Sequence, residues 1–460
     1  MNIAIISGEV SGDLIGGALA EELKRLVPDV ELWGIGSSAM HAAGVDLLAD
    51  SAAWGAISIT EAIRIVPKML LQIGPILKAE IAKRKPDVLV LIDFGAFNVR
   101  AARYAKRIGL KVCYYFPPGS WRRTGRHGVE LASITNVLAA PFPWAAERYK
   151  SLGANAIYVG HPLLERVESR MTRDEFAAQF GMDPTKPIIG MLPGSRRQEI
   201  SHLMPTLLEA AKLLYRSVPE AQFVVGVAPS ISSEEMARYL TDQPDLRDRL
   251  SDIWHEVALE TGTRLVEPLA RTAGKLTAQR SRILVTNNGV MLPEAALREE
   301  MEARRHSEHL RARAEHTMPP TVLAKGLTYE VMAHSDVLLT CSGTATLEAA
   351  VFGTPMVILY RGSKLMELEY NLRGFKKTIK WIGLPNIVAD RTVAPELIQN
   401  DATPEAIAAH ALKLLNDIET RQAAKAGLAE VRAAMGTPGA SARTAQIVVD
   451  LARENSYTQG

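Results

Sequence analysis

Asp93 ends an apolar run in the stretch Leu91-Ile92-Asp93-Phe94-Gly95-Ala96-Phe97-Asn98. A carboxylate at the C-terminal end of a buried strand has two uses. It takes a proton from an attacking hydroxyl as a general base, or it caps the following helix and bonds nearby backbone. Position alone leaves both open. A second stretch, Gly8-Glu9-Val10-Ser11-Gly12-Asp13, falls at a strand-to-helix turn. Glycine lets the backbone approach a ligand closely, and the N–H groups that open a helix attract anions. Glu9, Ser11, Gly12 and Asp13 are therefore candidate substrate contacts, with an N-cap role open for Asp13. The spacing is not that of Gly-x-Gly-x-x-Gly, so neither NAD nor FAD is inferred.

Two further stretches suit a phosphorylated ligand. Leu192-Pro193-Gly194-Ser195-Arg196-Arg197 offers backbone N–H groups around Gly194, the Ser195 hydroxyl and a guanidinium. Arginine meets phosphate oxygens with a fixed fork of donors. Arg196 is the better placed of the pair, and Arg197 reads as a surface residue. Ser342-Gly343-Thr344-Ala345-Thr346-Leu347-Glu348 follows another apolar run. There Ser342 and Thr344 present hydroxyls beside Gly343. Glu348, one helical turn on, either accepts two ribose hydroxyls or is a solvated helix glutamate. His161, in Gly160-His161-Pro162, is a hinge residue, a hydrogen-bonding partner or a satisfied core histidine. No Asp-x-Asp pair lies in the first half's candidate cleft and no His cluster stands at metal spacing, so no metal and no cofactor are expected.

The elements that must position these residues alternate. Residues 3–7, 31–36, 88–92, 112–115, 137–140 and 156–159 read as strands, with a helix over about 14–26. The run 88–92 is apolar throughout, as in strands buried on both faces of a parallel sheet. The pattern restarts with strands at 187–192, 223–227, 337–340 and 355–360 and a helix over about 198–218. The fold class is α/β, with two Rossmann-like doubly wound domains facing a cleft lined by strand C-terminal ends. The first spans 1–168. The second spans 185–438 and carries an insert over about 265–320, whose part 294–315 is rich in Glu, Arg and Ala and reads as a solvated helix face.

Bulk properties exclude other classes. A net charge of +2 over 460 residues gives no basic footprint for nucleic acid. Cys113 and Cys341 sit in apolar runs without metal spacing and read as buried thiols of a reducing compartment. The first strand begins at residue 3, with no cleavable leader in sight, and no apolar run is long enough to span a bilayer. Residues 54–81 are crowded with apolar side chains, among them Ile65, Met69 and Ile73, and are flanked by Arg64, Lys68, Lys78, Lys83, Arg84 and Lys85. They form either ordinary core helices or a patch that dips into an anionic membrane surface.

Taken in order, these motifs resemble the lipid-A-disaccharide synthase family, glycosyltransferases of the two-domain GT-B type. The resemblance rests on residues 8–13, Asp93 with Phe97-Asn98, 115–123, 159–162, 192–196, Ser342-Gly343-Thr344 with Glu348, Tyr360-Arg361 and Leu384-Pro385-Asn386. It implies a UDP-2,3-diacylglucosamine donor and a 2,3-diacylglucosamine 1-phosphate acceptor. The acceptor 6-hydroxyl displaces UDP with inversion, and Asp93 is the base. Arg196, Ser342, Thr344 and Glu348 hold UDP, while Arg361 and Asn386 lie nearby. It further implies membrane-contacting helices within 54–87, a C-terminal helix of about 440–460 returning to the first domain, a homodimer, and a cytoplasmic protein attached peripherally to the inner membrane face. This chain departs from the family pattern at Ala96, where a second aspartate is usual, at the bulkier Phe94, and across 116–123. Two alternatives follow: a related UDP-sugar enzyme with a different acceptor or an epimerase, and a UDP-sugar-binding membrane protein that has lost catalysis.

Overall fold

In the computed structural model the described residues are 1–51, 54, 59–120, 128–241, 285–286, 289–290, 319–362 and 380–454; for 59–70, 241, 285–286 and 289–290 only the secondary structure is described. The chain divides into two compact units, one formed by Met1–Arg166 with Ala433–Gly460 and the other by Val167–Arg432.

The first unit holds β1 (Asn2–Ser7), β2 (Glu31–Gly36), β3 (Asp46–Asp50), β4 (Val88–Ile92), β5 (Lys111–Tyr115), β6 (Val137–Ala140) and β7 (Ala156–Tyr158). They form one sheet in the order β3-β2-β1-β4-β5-β6-β7, and every pairing is parallel. Val88 to Ile92 are fully buried, as a strand covered on both faces by helices must be. The covering helices include α1 (Val10–Leu26), α2 (Ser38–Ala42), α3 (Ile59–Arg84) and α4 (Gly95–Arg107). Strand order reverses between β1 and β4, whose register pairs Ser7 with Ile92. In open α/β sheets ligands bind beyond the strand C-termini at such a reversal. The turn after β1 and the turn after β4 are therefore brought side by side.

The C-terminal helix Ala440–Arg453 packs on α1, β4 and β5. Its Ala445, Val448, Val449 and Ala452 join the core that contains Ile3, Leu19 and Val90. Both helix ends are tied down. The Glu165 carboxylate accepts from the N–H groups of Gly439 (3.1 Å) and Ser441 (2.9 Å), and Lys111 Nζ donates to the Leu451 carbonyl (2.8 Å).

The second unit contains β8 (Ile188–Leu192), β9 (Gln222–Val227), β10 (Val285–Thr286), β11 (Gly289–Val290), β12 (Thr321–Lys325), β13 (Val337–Cys341), β14 (Met356–Tyr360) and β15 (Glu396–Ile398). Their order is β10-β11-β12-β9-β8-β13-β14-β15. All pairings are parallel except those of the short β10-β11 ribbon with itself and with β12. Order reverses between β8 and β13, which sets the turn after β8 beside the turn after β13. The helix Arg173–Gln179 is anchored in this unit. Arg173 donates to the carbonyls of Pro184 (2.8 Å), Lys186 (3.0 Å) and His334 (2.6 Å) and pairs with Asp336 (2.8 Å).

Candidate active site

In the first unit the site is built by the turns after β1 and β4. The helix α1 begins at Val10, with Glu9 as its N-cap in extended conformation. Ser11, Gly12 and Asp13 thus lie inside its first turn, four residues earlier than the sequence pattern places the helix start. Gly8 must be glycine, because a Cβ there would fall 2.0 Å from Cγ of the Phe94 ring. That contact shows how closely the two turns approach.

The turn after β4 is strained. Asp93 (φ 44°) and Phe94 (φ 44°, ψ 54°) both adopt the left-handed conformation, at a cost of roughly 1–3 kcal/mol each for non-glycine residues. The surroundings hold it there. Asn98 Nδ2 donates to the carbonyls of Ile92 (3.0 Å) and Asp93 (3.0 Å), and Tyr114 Oη donates to the Asp93 carbonyl (2.7 Å). Asn98 is fully buried and spends its amide N–H groups on this turn, so it braces Asp93.

Asp93 as a whole is half-buried, and most of the surroundings of its carboxyl are protein. Burial pushes its pKa up to about 7, the Glu9 carboxylate adds to the rise, and the Phe94 N–H opposes it. A carboxylate with a pKa near neutrality holds and releases protons at working pH, as a general base requires.

Other candidates in this unit carry structural loads. Asp13 is buried, and its carboxylate accepts from the N–H groups of Ser37 (2.6 Å), Ala39 (2.9 Å) and Met40 (3.2 Å), so it caps α2. Gly12 packs α1 on β1, since a Cβ would lie 2.7 Å from Ser7 Oγ. Ser11 is half-buried. His161 is buried between the rings of Phe116 (5.1 Å) and Phe142 (5.3 Å), and its Nδ1 accepts from the Leu163 N–H (3.2 Å). Burial first, and then Arg166, push its pKa down to about 3, so it stays neutral. Of the 116–123 stretch, Phe116 to Ser120 are described: Arg148 donates to the Gly119 carbonyl (3.0 Å) and Tyr149 Oη to that of Pro118 (2.9 Å). Trp121, Arg122 and Arg123 lie outside the described residues, as do Gly55 to Ser58, the side chains of Arg64, Ile65, Lys68 and Met69, and the 294–315 part of the insert.

In the second unit the turn after β8 runs through Gly194 (φ 122°) into the helix Arg197–Ser217. Glu199 Oε2 accepts from the N–H groups of Ser195 (3.0 Å) and Arg196 (3.3 Å), while Arg196 Nη1 donates to Glu199 Oε1 (3.1 Å). Sequence reasoning missed Glu199, although a glutamate at the third helical position is a readable capping signal. Its carboxylate marks a place where this turn binds an anion. Arg197 turns toward Glu235 (3.0 Å). Burial raises the pKa of both Cys341 and Tyr360, Glu199 raises both further, and Arg196 opposes, so the ends of β13 and β14 lie within electrostatic reach of this turn.

After β13, Ser342 Oγ donates to the Ile382 carbonyl (3.1 Å). Gly343 and Thr344 are exposed where the helix Thr344–Phe352 begins, with open space where a Gly343 Cβ would be. Glu348 accepts from Tyr329 Oη (3.4 Å). Arg361 donates to Thr206 Oγ1 (2.5 Å). Asn386 is fully buried. Its Oδ1 accepts from the N–H groups of Val393 (2.6 Å) and Ala394 (2.9 Å), and its Nδ2 donates to the Ala394 carbonyl (2.7 Å) and to Glu396 (2.7 Å). It knots the segment 386–396 together. Among the described residues no group of three or more His, Cys, Asp or Glu side chains is arranged to hold a metal ion.

Two Rossmann-like doubly wound units, each with its polar turns at a strand-order reversal, define the GT-B class of α/β proteins. A UDP-GlcNAc 2-epimerase from Neisseria meningitidis, solved with UDP-GlcNAc, shares this fold at TM-score 0.51 and 11% identity, over 99% of this chain and 100% of that one. The chain belongs to the lipid-A-disaccharide synthetase family, whose sequence model matches residues 3–247 and 264–449, and it is a glycosyltransferase. Lipid-A-disaccharide synthases of Geobacter metallireducens and Geobacter sulfurreducens are each 34% identical over 98% of this chain and 97% of their own.

Proposed function

We propose that the chain joins UDP-2,3-diacylglucosamine to 2,3-diacylglucosamine 1-phosphate by a single inverting displacement. The acceptor 6-hydroxyl attacks the donor anomeric carbon, its proton passes to Asp93, the bond from that carbon to the UDP oxygen breaks, and UDP leaves. The observation that carries this reading is Asp93: a strained, braced carboxyl at the β1/β4 reversal with its pKa near 7. Family membership supports the reaction class.

On the donor side, Gly194, Ser195 and Arg196 with Ser342, Gly343 and Thr344 would meet the diphosphate, and Arg196 would exchange Glu199 for phosphate oxygens. Positive charge and helix N–H groups stabilise the charge that develops on the leaving group. Glu348 would take the ribose hydroxyls, and Arg361 would support the turn through Thr206. No metal enters this step, so a chelator should leave the rate unchanged; a rate restored only by added divalent cation would contradict that part.

For the acylated substrates to be reached, the protein would sit peripherally on the anionic inner face of the membrane as a cytoplasmic homodimer. Leu71 (77% exposed) and Ile76 (46% exposed) leave apolar side chains open on α3, which supports membrane contact by that helix. No helix among the described residues is long and apolar enough to cross a membrane. The test is to incubate purified protein with both substrates and follow products by mass spectrometry. Disaccharide 1-phosphate and UDP in equal amounts support the reading. UDP binding without product would point to another acceptor, and neither would remove it.

A further inference from the structure

Val10 (57% exposed) and Leu14 (41% exposed) are large apolar side chains on the first turns of α1, one turn apart and therefore on one face. They follow Glu9, and Glu9 acts electrostatically on Asp93 across the β1/β4 reversal. Phe94 approaches the same turn from the β4 side. Its ring lies against Gly8, it is half-buried, and Trp54 backs it at 6.4 Å. An apolar side chain held in the left-handed conformation at the edge of a reactive carboxyl is a strained arrangement of the kind that clusters at ligand-binding positions.

We propose that Val10, Leu14 and the Phe94 ring form an apolar ledge that holds an acyl chain of the acceptor while its hydroxyl meets Asp93. This inference rests on the reaction assigned above. A hydroxyl that gives its proton to Asp93 must come within about 3 Å of it. A chain carried on the same sugar must then leave across the adjoining rim, and on the α1 side the apolar side chains open to it beyond Glu9 are Val10 and Leu14. The occupant is the acceptor's own chain, since the ledge adjoins the base itself.

The test is steady-state kinetics of wild type and of the Val10→Ser/Leu14→Ser double variant, using acceptors that carry butanoyl or dodecanoyl chains, with vesicle co-sedimentation alongside. Both positions are exposed, so the variant should fold, and circular dichroism checks this. The ledge predicts KM for the dodecanoyl acceptor rising roughly tenfold to a hundredfold, with kcat and the butanoyl KM nearly unchanged. Vesicle binding should be retained. Phe94→Leu, which keeps an apolar side chain but removes the ring, should raise the dodecanoyl KM in the same sense. Equal effects on both acceptors, no effect on either, or a chain-independent change accompanied by lost vesicle binding would overturn the ledge. If wild type makes disaccharide from neither acceptor, the assigned reaction fails and the ledge with it, an outcome distinct from the other three.

Discussion

Replacing Asp93 by Asn should make the protein slower and more stable at once. Asn preserves the shape of the side chain and tolerates the left-handed backbone of this turn. The braces from Asn98 and Tyr114 reach the main-chain carbonyl, so they survive the change. What is lost is the proton acceptor, worth roughly 10²–10⁴-fold in rate. What is gained follows from linkage. The folded pKa lies near 7, against an ordinary aspartate value of 3.8. Between those values the folded state holds a proton that the unfolded chain has released, so stability falls as pH rises through that window and levels off above 7. Each pH step costs about 1.4 kcal/mol, for an upper bound of about 4 kcal/mol. Partial exposure of the residue reduces this to about 1–2 kcal/mol. Calorimetry at pH 8 should therefore show the Asp93→Asn unfolding midpoint several degrees higher, at about 2–4 °C per kcal/mol for a unit of this size. At pH 4 the two proteins should converge. Near-normal turnover in the variant would remove Asp93 as the base, and a variant less stable than wild type at pH 8 would contradict its raised pKa.

Further predictions concern single contacts. Arg196→Ala should weaken UDP binding in calorimetry by roughly tenfold to a hundredfold, the worth of a charge-assisted contact of about 1.5–3 kcal/mol; an unchanged Kd would remove Arg196 from the donor site. His161, with its pKa pushed from 6.5 down to about 3, contributes stability that is complete above pH 6.5 and falls by about 1.4 kcal/mol per pH step as pH drops toward 3. Thermal unfolding of His161→Asn should accordingly vary less steeply with pH over that range, and a slope equal to wild type would count against the buried neutral imidazole. Asn386→Ala should lower the unfolding midpoint sharply, since two buried N–H groups lose their acceptor at about 1–3 kcal/mol each. Below its melting range it should still bind UDP; loss of binding with intact folding would give Asn386 a ligand role.

The α/β class and most strands were legible because buried parallel strands leave apolar runs, as at Val88–Ile92 and Val337–Cys341. Five strands escaped notice, among them β10 and β11, which are two residues long each. β3 reads Asp-Leu-Leu-Ala-Asp and is only half-buried at the sheet edge, β15 is three residues long, and β12 follows directly on the stretch read as an insert, although Pro319-Pro320 and Gly326 bracket it. At the site, Asp93 was visible from its place at the end of a strand. The roles of Asp13 and Asn386 were not, because their partners at Ser37 to Met40 and at Val393 to Glu396 are set by tertiary packing. The strain at Asp93 and Phe94 leaves no trace in residue type.

A single displacement at the anomeric carbon, with Asp93 taking the proton, fixes the configuration of the product. Nuclear magnetic resonance of the disaccharide made from an α-linked UDP donor should show a β linkage formed by wild type and almost none formed by Asp93→Asn. An α-linked product, or a β-linked product formed equally fast without Asp93, would contradict it.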